Sequence, residues 1–546
     1  MRSIFSKKKI MIFAPHQDDE INLAGGLIPS LIECDAEVKV VYSTNGDFIT
    51  KPSTRYKECI KSLSVLGVEK ENIIFLGYSD QYSEGVDHLY NTLGNKKWIS
   101  NKKYSKTYHP IDKKELAIVY DNCHHIFNRE NFIKDIIYAI ESEKPDFIIS
   151  IDFDSHADHR ALSLSVEYAI GIIMNKHNDY RPTVYKTFAY PTFYFGINDL
   201  DSINIESTKF KTEKNSYCEM QNPYYLWDSR IRFPLKKESY TKRIVFNKVF
   251  KAMNSHKSQC FVRRAFSTIN GDQIFWQRRT DNLLNESTIT VSSGEKDKLH
   301  DFMLFECKKV MNGNSERPII FSDSWIPNMN DETPIINVQF KDEKIIDTIN
   351  FYHQVENDGF ISQIEISDNN KYCKVFDLVK NKNNISTINL DGLKTNTIKI
   401  KILNRTNQNA GLSELEIFEK KIQKIKFIKL EIAGNFAYNY FYSNEKFKVY
   451  SYDGVQSRYL NDSEYEIISD DVIISHNSFI LKKTKNHIRI QLKSNNDIYD
   501  EIILYKSIIT FKISNNILNI LNHTIIWLLY KKQLLIRKIK RLLKIN

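Results

Sequence analysis

The stretch Lys9–Gly26, KIMIFAPHQDDEINLAGG, decides how the N-terminal half of this chain is read. Its first six residues form an apolar run that reads as a buried strand. One histidine and three acids follow at once, His16, Asp18, Asp19 and Glu20, where a plain turn would have connected two elements.

Outward from that point, strand-like runs alternate with helical stretches to about residue 175. VKVVYS, the helical Arg55–Leu66 and NIIFLGY come first; FIKDIIYAIESE, DFIISID and HRALSLSVEYAIGIIMNKH come later. Such alternation implies an α/β, Rossmann-like, mostly parallel sheet with helices on both faces. Sites in sheets of this kind lie at the carboxyl ends of the strands.

A second polar cluster, DFDSHADHR, places His156, Asp158 and His159 straight after the strand DFIIS. Alone, an acidic DDE reads as a helix N-terminal cluster favoured by the dipole, and an HxDH as surface loop. In this order, each behind a buried strand, the two clusters are expected on one edge of the sheet. Two histidines and a carboxylate meeting there make a three-ligand set for Zn²⁺, with a fourth position for water, as in catalytic sites. The remaining acids and histidine would move protons around that water.

With these motifs the chain resembles the PIG-L/LmbE family of zinc-dependent de-N-acetylases, whose signatures stand here as PHQDDE and HADH. STNGD, RYKECIKSLSVLGV, IIFLGYSD and KAMNSHKSQ extend the likeness over roughly residues 8–285. Gln17 takes the usual proline position, which stiffens the loop less and removes no ligand. The resemblance implies that His16, Asp19 and His159 hold Zn²⁺ and that Asp18 is the general base. It also implies that His156, held by Asp158, stabilises the oxyanion or protonates the leaving amine. An amide needs all three aids, because it is a poor electrophile with a poor leaving group.

For the substrate, Tyr224, Trp227 and Arg230 in NPYYLWDSRIRF offer aromatic stacking and cations for a sugar ring or a phosphate, and Arg55 lies near NGD. Core packing is the competing role for the aromatics. Tyr82–Phe127 is long for a connection and reads as a lid; His124 and His125 in it read as surface residues.

From about residue 295 short β segments take over, among them TPIINVQF, ISQIEIS and NTIKIKIL. With VMNGN, FSDSWIP around Trp325 and the closing AGLSELEIFEK, this part resembles a discoidin-like (coagulation factor type C) β-sandwich, a fold of carbohydrate-binding modules; it would bind glycan or serve packing or oligomerisation. The division expected is 1–290 for the deacetylase-like body, 291–420 for the sandwich, 421–513 for a further β-rich domain and 514–546 for a basic amphipathic helix. In that tail Leu528, Leu535, Ile539, Leu542 and Leu543 share a stripe, with cations largely opposite. Its apolar stretch Thr524–Tyr530 is far short of the roughly 20 residues that span a bilayer. Trp527 and Tyr530 sit where interfacial aromatics belong, so an anionic membrane surface is the expected partner; a helix closing the last domain is the rival.

Composition narrows the class. At 42% hydrophobic and 26% charged residues the chain belongs among ordered proteins. Its seven cysteines are scattered singly, giving neither a disulfide framework nor a Cys-based zinc site. The net charge of +10 owes seven charges to residues 531–544, so the rest lacks the basic face of a nucleic-acid binder. The apolar run behind MRSIFSKKK is too short for a signal segment, and the expectation is a cytoplasmic protein, peripheral at the inner face of the membrane.

The function expected is a zinc-dependent hydrolase removing an N-acetyl group from an N-acetylated amino sugar, a lipid- or nucleotide-linked intermediate of surface glycan synthesis. The alternatives are an amidase on another N-acyl or glycosylated small molecule, and a glycan-binding protein with an inactive first domain. Intact His16, Asp18, Asp19, His156, Asp158 and His159 speak against inactivity.

Overall fold

Seven strands carry the first body, β1 (Lys9–Ala14), β2 (Glu37–Thr44), β3 (Ile73–Tyr78), β4 (Phe147–Ile151), β5 (Thr183–Thr187), β6 (Ile231–Pro234) and β7 (Asp272–Arg278), in spatial order 3-2-1-4-5-7-6. The computed structural model describes all residues except 82–88, 153, 155, 178, 190–203, 206, 209–221, 313–314, 357–358, 422–423, 438–439, 442–444, 476, 507–508 and 543–546. β1 to β5 are parallel, while β7 runs antiparallel to β5 and β6. Ile10 to Ala14 are all buried because helices cover both faces, which is why β1 reads as an unbroken apolar run.

The covering helices follow their local signals. Pro52 opens Pro52–Leu66 with a pre-set φ, and Gly67 closes it at φ +104. Asn128 caps Arg129–Glu143 through its side chain. That helix packs beside the long Ala157–Lys176, itself mostly buried.

The next body is the β-sandwich. β8 (Thr288–Val291) pairs with β11 (Ile335–His353); β9 (Phe305–Asn312) and β10 (Ser315–Ser322) form a hairpin. β12 (Ile361–Ser367), β13 (Cys373–Asp377), β14 (Ile385–Arg405) and β15 (Leu412–Glu419) complete the order 13-12-14-11-15. The long β11 and β14 shift register near Gln339–Lys344 and Ile346–Thr348, bulges that bend a strand so that it serves two layers. Ile349, Phe351, Ile364 and Ile400 fill the core together with Trp325, whose indole N–H donates to the Ser293 carbonyl at 2.9 Å.

A third, smaller set of β-sheets packs around Leu430, Val449, Phe479, Ile490 and Leu504. It is fastened to the first body: the hydroxyls of Tyr185 and Tyr452 meet at 2.8 Å, and buried Arg232 pairs with Asp272 and Glu431. The sandwich is fastened too, by Arg129 on Glu306 and by Tyr224, whose hydroxyl donates to the His353 carbonyl.

The C-terminal helix, Ile509–Leu542, does not close the last β-rich body. It lies against the first, burying Asn522, Ile526 and Gln533. The stripe expected to be apolar remains on the solvent side at Leu528, Leu535 and Ile539; Leu543 lies outside the described residues. Among the described residues no helix is long and apolar enough to cross a membrane.

Candidate active site

β1 lies beside β4, and the connection from β1 leads to β2 on one side while that from β4 leads to β5 on the other, so the two diverge and open a crevice at the carboxyl ends. His16 follows β1, Asn45–Asp47 follow β2, Asp80 follows β3, and Asp154–His159 follow β4. After Ala14 the chain turns tightly, the His16 carbonyl accepting from the Asp18 and Asp19 amides. Asp18 stands at the N-cap position of the helix Asp19–Ala24, at φ +149 and ψ −19, without a side-chain cap hydrogen bond. A non-glycine residue there carries strain of order 1–3 kcal/mol, as functional residues do.

Three donor atoms converge in this crevice. His16 Nδ1 lies 3.0 Å from Asp19 Oδ2. His159 Nε2 lies 3.4 Å from His16 Nδ1 and 3.5 Å from Asp19 Oδ2. Ligands about 2.1 Å from a tetrahedral Zn²⁺ stand roughly 3.4 Å apart, so the triangle fits that ion. Behind it, Asp154 Oδ2 lies 2.7 Å from His159 Nδ1 and turns Nε2 toward the triangle, the usual carboxylate support of a ligand histidine.

A second grouping of His16, Asp80, His156 and Asp158 also brings potential ligand atoms within 4.8 Å of one another, as does His16 with His156 and His159. On that side His16 Nε2 faces Asp158 Oδ2 at 3.1 Å and Asp80 Oδ1 at 3.3 Å. The first triangle is the tighter, and in the second His156 Nδ1 already accepts the Asp158 amide at 3.2 Å.

The electrostatics are those of a cation site. Burial would lower the basicity of His16, yet Asp80, Asp158 and Asp19 raise it well above the ordinary value. His159 is likewise disfavoured by burial and carried up to about 9 by Asp154 and Asp19. Asp19, although buried, is held well below the carboxylate range by His159 and His16. Carboxylates that stabilise positive charge this strongly also favour a divalent ion. Burial and the neighbouring His16 and His159 push His156 down to about 2, and burial raises Asp18 against the opposing Arg55 guanidinium.

A cavity of about 170 Å³ opens over these groups, with Ile49 and Thr50 on one wall and Gln259 and Arg264 on the other. A larger one, about 850 Å³, lies elsewhere beside the C-terminal helix and is lined by no histidine or carboxylate.

The expected substrate contacts divide, Arg55 at the cavity and the other three away from it. Arg55 lines the cavity and is buried: its Nη2 donates to Asp18 Oδ1 at 2.9 Å and to the Gln17 carbonyl at 2.8 Å, so it holds the Asp18 carboxylate in place. Tyr224, Trp227 and Arg230 do not line this cavity. Tyr224 is buried at the contact with the sandwich, Trp227 packs in an aromatic cluster with Tyr225 and Trp276, and Arg230 stacks on Trp227. Core packing, the competing role, is the one these aromatics fill.

The other acid of the opening motif is structural. Glu20 is buried, accepting from Ser62 Oγ and holding His256 at 2.7 Å, which ties KAMNSHKSQ to the site. Gln17 donates to the Thr44 carbonyl at 2.6 Å and so anchors its loop to β2. In the Tyr82–Phe127 stretch, 82–88 lie outside the described residues; just before them Gln81 N–H donates to Asp158 Oδ2 at 2.8 Å. His125 is buried, between Asp121 and Asp135, rather than on the surface.

Sequence reasoning missed Asp80, Asp154, Gln259 and Arg264. Asp80 carried the same signal as His16, a carboxylate just past a parallel strand, and Asp154 sat inside the quoted DFDSHADHR. Gln259 closes the quoted KAMNSHKSQ and Arg264 follows five residues later, both on short turns about 100 residues beyond HADH, where nothing local marks that they reach the cavity.

Residues 11–170 match the family described as PIG-L, GlcNAc-PI de-N-acetylase. A search of curated proteins gave no match. Among solved structures, the chain is similar to the module CpGH89CBM32-6 produced by Clostridium perfringens, at 17% identity and a TM-score of 0.19, covering 26% of this chain and 99% of that one. A Streptococcus pneumoniae fucose binding module gives 16%, 0.19, 26% and 95% in the same order. The family 32 CBM from C. perfringens NanJ, in complex with galactose, gives 20%, 0.19, 25% and 96%. Each likeness is confined to about a quarter of the chain.

Proposed function

We propose that the first body is a zinc-dependent hydrolase that removes the N-acetyl group from an N-acetylated amino sugar carried on a lipid or a nucleotide, in the cytoplasm, during surface glycan synthesis. The observation that carries this reading is the His16, Asp19, His159 triangle beside the strained Asp18 carboxylate. The family match over residues 11–170 supports the same class of reaction.

The triangle would hold Zn²⁺, whose chemistry is to acidify water and polarise the amide carbonyl. Asp18 has one oxygen engaged by Arg55, which leaves Oδ2 to take the proton from the attacking water. Because His156 Nδ1 accepts the Asp158 amide, the neutral ring carries its proton on Nε2. From there it donates to the oxygen on which negative charge develops. Asp18 Oδ2 then returns its proton to the nitrogen, the C–N bond breaks, and acetate and a free amine leave. Arg264, on the cavity wall, suits a phosphate of the carrier.

Glycan binding by the sandwich rests on its resemblance. Among the described residues no Phe, Tyr or Trp of β8–β15 and their loops is exposed to stack on a sugar, so recognition there would fall to polar loops.

The test is acetate release from a panel of N-acetylhexosamine donors, lipid-linked and nucleotide-linked, with and without chelator. Chelator should abolish release and Zn²⁺ restore it. Release of a different acyl group would favour the amidase alternative. No release from any donor by zinc-loaded protein would leave only a binding role.

A further inference from the structure

The C-terminal helix is about 50 Å long and has two working faces. One is locked to the first body: Asn522 donates to the Lys242 carbonyl, Lys242 Nζ donates to Asn515 and Asn519, Gln533 donates to Asn254, and Ile526 enters the core. Half a turn away, Ile513, Ile517, Leu521, Leu528, Leu535 and Ile539 fall within roughly a quarter turn of one another. Each of these six is between 44% and 58% exposed. A soluble helix would be expected to turn that face inward.

The apolar surface continues off the helix. Val245, exposed on the short turn Ile244–Phe246, shares the 850 Å³ groove with Ile517 and Leu521. Cations frame the surface: Lys237 and Arg243 at the groove, Lys531, Lys532 and Lys538 along the helix, Lys531 resting over the Trp527 ring. The helix contains no acid. A second copy of this face would therefore set cations against cations, whereas an anionic bilayer complements both charge and apolar area.

The geometry points to this face as a docking surface for an anionic phospholipid bilayer, with the helix lying in the interface plane. Docking would also orient the catalytic cavity. The helix packs against Lys257–Gln259 and Phe261–Arg264, and Gln259 and Arg264 form a wall of that cavity. Resting on the deacetylase reading above, this selects a sugar carried on a lipid phosphate over one carried on a nucleotide.

Flotation of the full-length protein tests the docking without reference to catalysis. Vesicles of phosphatidylcholine mixed with phosphatidylglycerol should carry the protein, salt should weaken the binding, and phosphatidylcholine alone should bind less. The variants Ile517→Glu/Leu521→Glu/Leu528→Glu and Lys531→Glu/Lys532→Glu/Lys538→Glu should each lose at least about tenfold in binding. Quenching of Trp527 by brominated lipid, measured against Trp527→Phe, decides the matter independently should a triple variant fold poorly. Wild-type protein that ignores anionic vesicles, or variants that float like it, would overturn the proposal. So would a stable dimer in solution that the apolar variant dissolves, since the face would then belong to a second copy. For the substrate, the variants should lose acetate release from a vesicle-borne lipid-linked sugar and keep it on a soluble analogue; equal activity on both would overturn the lipid-linked choice while leaving the deacetylase reading intact.

Discussion

Arg55 Nη2 stands 2.9 Å from Asp18 Oδ1 and fixes a carboxylate whose own backbone is strained. Positioning is what this pair supplies. Arg55→Met should lower kcat by roughly 10- to 100-fold with metal content unchanged, because a misplaced base loses near-attack geometry. With Asp18 as the proposed base, Asp18→Asn should lose about 10² to 10⁴ in kcat, the usual worth of such a group. Steady-state kinetics with parallel elemental analysis separate the two; an Arg55→Met enzyme within twofold of wild type would remove the positioning role.

The two candidate ligand sets make opposite demands. With His16, Asp19 and His159 as ligands, Asp19→Ala should lose most of the zinc and Asp80→Ala should keep it, since a two-ligand site binds zinc poorly. Elemental analysis showing the reverse would move the metal to the Asp80 side.

Gly46 lies in STNGD at φ +62, and a Cβ there would collide with Gln17 and the Arg55 stem. Gly46→Ala should destabilise the protein by about 1–2 kcal/mol from backbone conformation alone, with more from the collision. Activity should fall as well, because the atoms displaced are those that hold Asp18. Denaturant unfolding alongside kinetics checks both effects.

His353 of the sandwich is buried, donates or accepts at Ser386 Oγ 2.7 Å away, and is pushed down to about 4 by burial and by Lys380. Its folded value lies below its unfolded one, so the stability it contributes is complete above about pH 6.5 and is lost as pH falls toward 4. The full loss is roughly 3 kcal/mol. Thermal melts should show an acid slope in this window that His353→Gln flattens; an unchanged slope in the variant would assign it to other groups.

Burying Arg232 between Asp272 and Glu431 joins the first and last bodies. Arg232→Ala leaves two carboxylates buried without their cation and should cost about 3–5 kcal/mol, while Arg232→Met together with Asp272→Asn should recover part of it. Melting temperatures of the single and double variants test this.

The sheet and the floor of the site were legible in the sequence because both are written locally. Strand and helix periodicity set the alternation, and parallel strands deliver whatever follows them to one edge, so position placed His16, Asp18, Asp19, His156, Asp158 and His159 together, while their roles came from the family resemblance. Tertiary packing decided the rest. Arg55 faces Asp18 and not solvent, Tyr224 and Trp227 fill contacts between and within bodies, and Gln259 and Arg264 reach the cavity from a distant turn. The sequence marked an amphipathic tail but not its docked face. Asn522 and Gln533 read as polar surface until their partners Lys242 and Asn254, about 280 residues away, are brought against them. A long-range contact leaves no periodic trace in either segment, and which side of a helix meets protein is settled only by what folds beside it.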